Sequence, residues 1–136
     1  MDTPESRMIT ALCRQVLLPG TESGFAEAVA SPGVRWPVLR SHLVYHDLIP
    51  FFWSLAKDLP GLPAGLAQEC RTSYYLNMTQ NEFLWRDFRT VNDCLRQGNV
   101  PMAPIKGMSL LKTVYEGMPF RAMCDIDVLV REEDMA

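Results

Sequence analysis

A single uninterrupted stretch, from Pro63 to Gln97, constrains the fold of this chain more than any other feature. No turn sequence breaks it, and Gly98 then supplies a helix stop. Its apolar residues recur three or four positions apart, at Ala67, Cys70, Tyr74, Met78, Leu84, Phe88, Val91 and Leu95. Polar residues occupy the middle, at Asn77, Gln80 and Asn81. The pattern predicts one long amphipathic helix that is weaker at its centre.

The residues before this helix predict four shorter helices. Thr3 and Pro4 form a helix start, because threonine caps backbone N–H groups and proline suits the first helical position. Apolar residues at helical spacing follow, and Pro19-Gly20 ends the first helix. The other three helices are predicted over residues 25–30, 36–46 and 49–59. The aromatic residues assigned to the helical core are Trp36, Phe51, Phe52, Trp53, Trp85 and Phe88.

The last third of the chain predicts strands as well as helices. The elements in order are a strand at 100–105, a helix at 108–115, a loop at 116–122, a strand at 123–130 and a helix start at 131–134. Pro101 and Pro104 favour an edge or irregular position for the first strand. The predicted fold class is α+β: a helical region, residues 1–98, leads into the start of a mixed-sheet core, residues 99–136.

Composition excludes several classes of protein. The net charge of −3 and the isoelectric point near 5.3 give no general case for binding nucleic acid or an anionic membrane. No apolar run approaches the roughly 20 residues that a membrane span needs. The acidic N-terminus argues against a signal peptide. Four widely spaced cysteines without a C-x-x-C pair indicate reduced thiols, and we therefore expect a cytoplasmic protein.

Two aspartates break the apolar run of the second predicted strand. On a strand, Asp125 and Asp127 point to one face while Ile126 and Val128 point to the other. Their Cα atoms then lie roughly 6.5–7 Å apart, which suits ligands of divalent metals. The alternative is a strand end with solvated acids, but buried carboxylates without partners are costly.

The residues around this run resemble a known family pattern. A strand, a glycine-containing turn, a helix and an Asp-x-Asp strand follow one another in the nucleotidyltransferase superfamily, and the chain is similar to the uncharacterised nucleotidyltransferase family. The matching residues are Ile105-Lys106-Gly107, Leu110-Leu111, Tyr115, Pro119, Arg121 and Asp125-Ile126-Asp127-Val128-Leu129-Val130. The resemblance implies transfer of a nucleoside monophosphate from an NTP to an unknown acceptor. Asp125 and Asp127 would be the catalytic residues and the ligands of Mg²⁺ or Mn²⁺.

Four further residues are candidates for binding the nucleotide. Lys106 contacts phosphate or pairs with one of the aspartates. Gly107 permits close backbone approach to a phosphate, although a strand-to-helix turn favours glycine in any case. Ser109 binds phosphate or caps the helix. Arg121 clamps phosphate, positions the aspartates through bidentate bonds, or is a surface arginine of the loop.

Two observations leave alternatives open. His42 and His46 have a spacing that can bind metal, but no third ligand is evident, and a structural or surface role is favoured. The superfamily uses a third carboxylate on a later strand, and the residues 132–134 lie in a predicted helix start instead. We therefore expect an incomplete site in the N-terminal part of a longer protein, or in a chain that borrows strands from a partner. We also expect an inactive isolated chain and self-association through an exposed strand. The competing hypothesis, from a different class, is a non-catalytic binding or regulatory module, and a third is a helical interaction protein with a chance Asp-x-Asp.

Overall fold

The computed structural model describes residues 3–18, 23–115 and 119–135. The helices in these ranges are α1 (Pro4–Leu17), α2 (Phe25–Ala30), α3 (Trp36–Tyr45), α4 (Ile49–Ala56), α5 (Ala64–Gln97) and α6 (Lys106–Thr113). The strands are β1 (Met102–Pro104), which precedes α6, and β2 (Val128–Val130), which is followed by a 3-10 turn at Glu132–Asp134. This mostly helical chain with a small sheet confirms the predicted α+β class. Within the described ranges, no helix combines the length and apolar character that a membrane crossing requires.

The start of α1 follows from its first residues. The Oγ1 atom of Thr3 accepts a hydrogen bond of 3.1 Å from the backbone N–H of Ser6, and Pro4 takes the first helical position. The hydroxyl thereby satisfies one of the N–H groups that a helix start leaves without a partner. The predicted start is confirmed, whereas the predicted stop at Pro19-Gly20 lies outside the described residues.

Contacts divide the chain into two units, the first ending at Tyr74 and the second beginning at Tyr75, within α5. The first unit buries the apolar faces of α1 to α4 together with the start of α5. Phe52 is fully buried there, and its ring meets the edge of Phe25 at a centroid distance of 5.9 Å. The division of the chain into residues 1–98 and 99–136, made by element type, stays a prediction.

A buried carboxylate ties α1 to the start of α3 in this unit. Glu5 is almost fully buried, and its Oε1 atom accepts hydrogen bonds from the backbone N of Arg35 at 2.7 Å and from Nε of Arg35 at 3.2 Å. A third bond joins Nη2 of Arg35 to Oε2 at 3.3 Å. A buried carboxylate is costly unless it is paired and hydrogen-bonded, and these contacts meet that requirement.

We expect this contact to make stability depend on pH. Side-chain and backbone hydrogen bonds from Arg35 lower the pKa of the Glu5 carboxyl to about 2. A carboxyl with a lowered pKa stabilises the fold above its unfolded pKa, and the contribution is lost as the pH falls through the folded value. The difference in unfolding free energy between the wild type and Glu5→Gln should therefore be largest near neutral pH. It should shrink from about pH 4.5 to about pH 2.

Urea denaturation at a series of pH values measures this difference. Glu27→Gln removes an exposed glutamate on α2 and serves as the matched control, for which we expect little change. A stability difference for Glu5→Gln that stays constant across this pH range would contradict the assignment.

The second unit contains the rest of α5, the sheet and α6. Strands β1 and β2 pair antiparallel, with Met102 opposite Val130 and Pro104 opposite Val128. The buried core of this unit is formed by Phe88, Met108, Leu111 and Met123. Partly buried residues from α5 and the sheet region pack against it, namely Leu84, Trp85, Met102, Ile126 and Val128.

Several predicted elements have different bounds in the structure. The strand predicted over residues 100–105 is only Met102–Pro104, and the helix predicted over residues 49–59 ends at Ala56. The strand predicted over residues 123–130 is only Val128–Val130, because β1 offers three residues for pairing. Beyond these pairs, one further bond joins the N–H of Ile105 to the carbonyl of Asp127. Asp125 and Asp127 therefore lie before the strand instead of on it. Helix α6 begins at Lys106, two residues before its predicted start. Of the predicted loop at 116–122, residues 116–118 lie outside the described part of the chain.

Candidate functional site

The start of α6 brings two of the candidate residues into contact. Nζ of Lys106 lies 3.2 Å from Oδ1 of Asp127, and the backbone N–H of Ile105 donates to the carbonyl of Asp127 at 3.1 Å. The Lys106 side chain is 67% exposed and that of Asp127 is 29% exposed. An ion pair open to solvent contributes about 0–1 kcal/mol to stability, so its main effect is to orient the two side chains. Pairing, one of the two predicted roles of Lys106, is present in the structure.

Lys106 adopts an unusual backbone conformation. Its φ is +48°, in the left-handed region that residues with a Cβ atom rarely occupy. Such a conformation costs on the order of 1–3 kcal/mol and persists only where surrounding contacts hold it. Here the residue is the first of α6 and lies two positions after the end of β1. Strained residues of this kind cluster at functional sites, which makes the turn before α6 the centre of the candidate site.

Close packing, and not a positive φ, favours glycine at position 107. A Cβ atom at this position would lie 3.0 Å from Sδ of Met123 and 3.6 Å from Nε of Arg121. The residue with the left-handed backbone is its neighbour Lys106. The glycine instead lets the side chains of Met123 and Arg121 lie against the first turn of α6.

Arg121 lies beside Gly107 with part of its guanidinium group buried. Its Nε atom is shielded from solvent and has no hydrogen-bond partner within the described residues. No ion pair joins Arg121 to Asp125 or Asp127 in this part of the chain, so the predicted bidentate positioning of the aspartates is not present. A buried donor without an acceptor is rare in native proteins, and a bound ion or water is one common explanation.

Ser109 lies inside α6 instead of at its start. The N-cap position belongs to Ile105, which supplies no side-chain hydrogen bond, so the prediction that Ser109 caps the helix is wrong. The carbonyl of Ser109 accepts a bond of 3.0 Å from Oγ1 of Thr113, and its side chain is half-buried. The hypothesis that Ser109 binds phosphate stays a prediction.

The acidic candidates differ in their surroundings. Asp125 is exposed and forms no ion pair with the described residues, whereas Asp127 is half-buried and paired with Lys106. Ile126 and Val128 pack against the core of the unit. Within residues 3–18, 23–115 and 119–135, no group of three His, Cys, Asp or Glu residues could hold a metal ion. The rings of His42 and His46 stack with their centroids 6.5 Å apart in the first unit.

Two polar residues near the site were not predicted to take part in it. Nδ2 of Asn81 donates to the carbonyl of Arg121 at 2.6 Å, and Nε2 of Gln80 donates to the carbonyl of Met123 at 2.6 Å. One signal in the sequence could have identified Asn81, since it shares a helix face with Leu84 and Phe88 at i+3 and i+7. An asparagine on an apolar face needs a hydrogen-bond partner, and Asn81 is fully buried.

Comparison with known proteins assigns the chain to a family. Residues 32–136, most of the chain, match the family model described as "Uncharacterised nucleotidyltransferase". No curated protein and no solved structure gives a significant match. The matched range includes the start of α6, Arg121 and both aspartates. The chain therefore belongs to the uncharacterised nucleotidyltransferase family.

Proposed function

We propose that this protein transfers a nucleoside monophosphate from an NTP to an acceptor, with Mg²⁺ or Mn²⁺ bound at Asp125 and Asp127. The observation that carries the proposal is the convergence of Lys106, Gly107, Arg121 and Asp127 at the first turn of α6. Membership of a nucleotidyltransferase family supports the general kind of reaction. The use of Mg²⁺ or Mn²⁺ and of an NTP is what we propose beyond this family assignment.

The donor groups fit a hard divalent cation. Mg²⁺ prefers oxygen ligands and is commonly bound through one or two carboxylates together with substrate phosphates. Asp125 offers an exposed carboxylate without a protein cation beside it, and Asp127 has only its Oδ1 atom on Lys106. Because Asp127 pairs with Lys106, its carboxylate lies next to a positive charge. A bound divalent ion would neutralise phosphate charge and favour ionisation of the acceptor hydroxyl.

The basic residues supply the contacts to phosphate. Arg121 carries a planar set of N–H donors that matches phosphate oxygens, and its buried Nε atom lacks an acceptor in the described chain. Lys106 adds a mobile point charge at the same turn. The first N–H groups of α6 have no partners within the helix and favour an anion at its start. Ser109 completes the proposed phosphate contacts from inside the helix.

The proposal predicts that NTP binding depends on metal. Calorimetric titration of the purified protein with each of the four NTPs should show binding with Mg²⁺ or Mn²⁺ present. Because the phosphates are held partly through the metal, removing it with EDTA should weaken binding by at least about tenfold, or 1.4 kcal/mol. Arg121→Gln should weaken binding of the metal–nucleotide complex, whereas Arg89→Gln, an exposed arginine on α5, serves as the matched control.

The outcomes separate the competing hypotheses. The enzyme hypothesis is supported if NTP binding depends on metal and if the protein expressed from its own gene also transfers an α-labelled nucleotide. Binding without transfer favours the non-catalytic module with the same fold. Equal affinity with and without metal, or no binding of any NTP, would contradict the proposed site.

A further inference from the structure

The segment that carries the candidate acids has no regular secondary structure before β2. Residues 121–127 belong to no helix or strand, although they include Arg121, Asp125 and Asp127. A segment of this kind positions catalytic groups only if other parts of the protein hold its backbone.

Two neighbouring side chains of α5 hold the first half of this segment. Asn81 donates from Nδ2 to the carbonyl of Arg121, and Gln80 donates from Nε2 to the carbonyl of Met123, both at 2.6 Å. Asn81 is fully buried, so its amide cannot exchange this bond for one to water. Both residues lie on α5, and a helix holds its side chains more precisely than a loop does.

These bonds affect the proposed site because the residues they hold, Arg121 and Met123, pack around Gly107. Met123 and Arg121 lie against that glycine, at 3.0 Å and 3.6 Å from the position a Cβ atom would take. Asn81 thus holds the backbone of the residue whose guanidinium group lies at the start of α6. Releasing this carbonyl would let Arg121 move away from the turn.

The second half of the segment is held at both ends. Gln80 holds the carbonyl of Met123, and the N–H of Ile105 holds the carbonyl of Asp127 at 3.1 Å. Asp125 lies midway between these two anchors. Its position is therefore set by bonds made two residues before it and two residues after it.

We infer that Asn81 and Gln80 are positioning residues of the proposed nucleotidyltransferase site. Asn81 sets the position of Arg121 for the phosphates, and Gln80 sets that of Asp125 for the metal. Neither residue contacts substrate or metal itself. The inference rests on the proposed function, and it adds two residues from a helix remote in sequence from the family pattern at 105–130.

The experiment compares Gln80→Met and Asn81→Leu, which remove the amide donors without adding charge. Partners of this kind typically change metal affinity by about 10- to 100-fold when they are replaced. We expect Gln80→Met to weaken Mn²⁺ binding at least about tenfold. Asn81→Leu should weaken binding of the Mn²⁺–NTP complex while Mn²⁺ alone binds nearly as in the wild type. Asn92→Leu makes the same change elsewhere on α5 and should alter neither affinity.

Hydrogen exchange gives a readout that does not depend on ligands. The amide of Ile105, which donates to the carbonyl of Asp127 at the end of this segment, should exchange faster in Gln80→Met than in the wild type, while amides of α1 should be unchanged. If Asn81→Leu does not fold, Asn81→Ala removes the same donor without adding bulk or charge.

The two possible failures are distinguishable. If the wild type binds Mn²⁺–NTP and Gln80→Met and the folded Asn81 variant bind it equally well, the positioning roles are wrong and the proposed function stands. If the wild type binds neither metal nor nucleotide, the proposed function is overturned, and the inference with it.

Discussion

Replacing Asp127 with asparagine will abolish binding of Mn²⁺ and, in the protein expressed from its own gene, lower nucleotidyl transfer by roughly a thousandfold or more. Asparagine keeps the shape of the side chain but removes the negative charge that a divalent cation requires. Loss of one member of a cooperative catalytic set removes most of the rate. Calorimetry measures the metal affinity, and incorporation of an α-labelled nucleotide measures the transfer.

The same substitution also breaks the ion pair with Lys106, so two controls are needed. Lys106→Met breaks that pair at 3.2 Å but leaves the carboxylate, and Mn²⁺ should still bind. Asp93→Asn removes an exposed acid on α5 and should change nothing. Unchanged Mn²⁺ affinity in Asp127→Asn would show that this carboxylate is not a metal ligand.

Replacing Phe52 with alanine will lower the free energy of unfolding by about 3–5 kcal/mol. Phe52 is fully buried in the core of the first unit and meets the edge of the Phe25 ring. Its removal loses the burial of a large apolar side chain and leaves a cavity that the surrounding helices fill only in part. Urea denaturation of both proteins at neutral pH measures the difference.

Phe83→Ala is the matched control for this prediction. Phe83 lies on α5 and is 53% exposed, and the guanidinium group of Arg86 lies 5.2 Å from the centroid of its ring. We expect a loss below about 1 kcal/mol, since an exposed cation–π contact contributes about 0.5–1 kcal/mol. Equal effects of the two substitutions would mean that the core has been assigned to the wrong residues.

The bounds of α2 and α5 could be predicted from sequence because they depend on neighbouring residues. The helix predicted over residues 25–30 is α2, and the stretch from Pro63 to Gln97 is α5 but for its first residue. The cap at Thr3 is likewise present. Apolar spacing, capping groups and a terminal glycine act within a few positions of one another, so the local sequence contains the information.

The strand bounds depend on a partner that lies elsewhere in the chain. Residues 123–130 have the apolar character of one strand, but only Val128–Val130 pair with β1. The carbonyls of Arg121 and Met123 bond instead to side chains of α5. A strand is as long as the neighbour that pairs with it, and an apolar run does not state the length of that neighbour.

The sequence by itself determined the helices, the α+β class, the family and the residue types of the candidate site. Only the tertiary structure decided that Lys106 pairs with Asp127, that Lys106 instead of Gly107 has the left-handed backbone, and that Gln80 and Asn81 hold the segment before β2. Propensity and spacing describe interactions between residues that are close along the chain. Hydrogen bonds and packing between distant residues arise only once folding has brought them together.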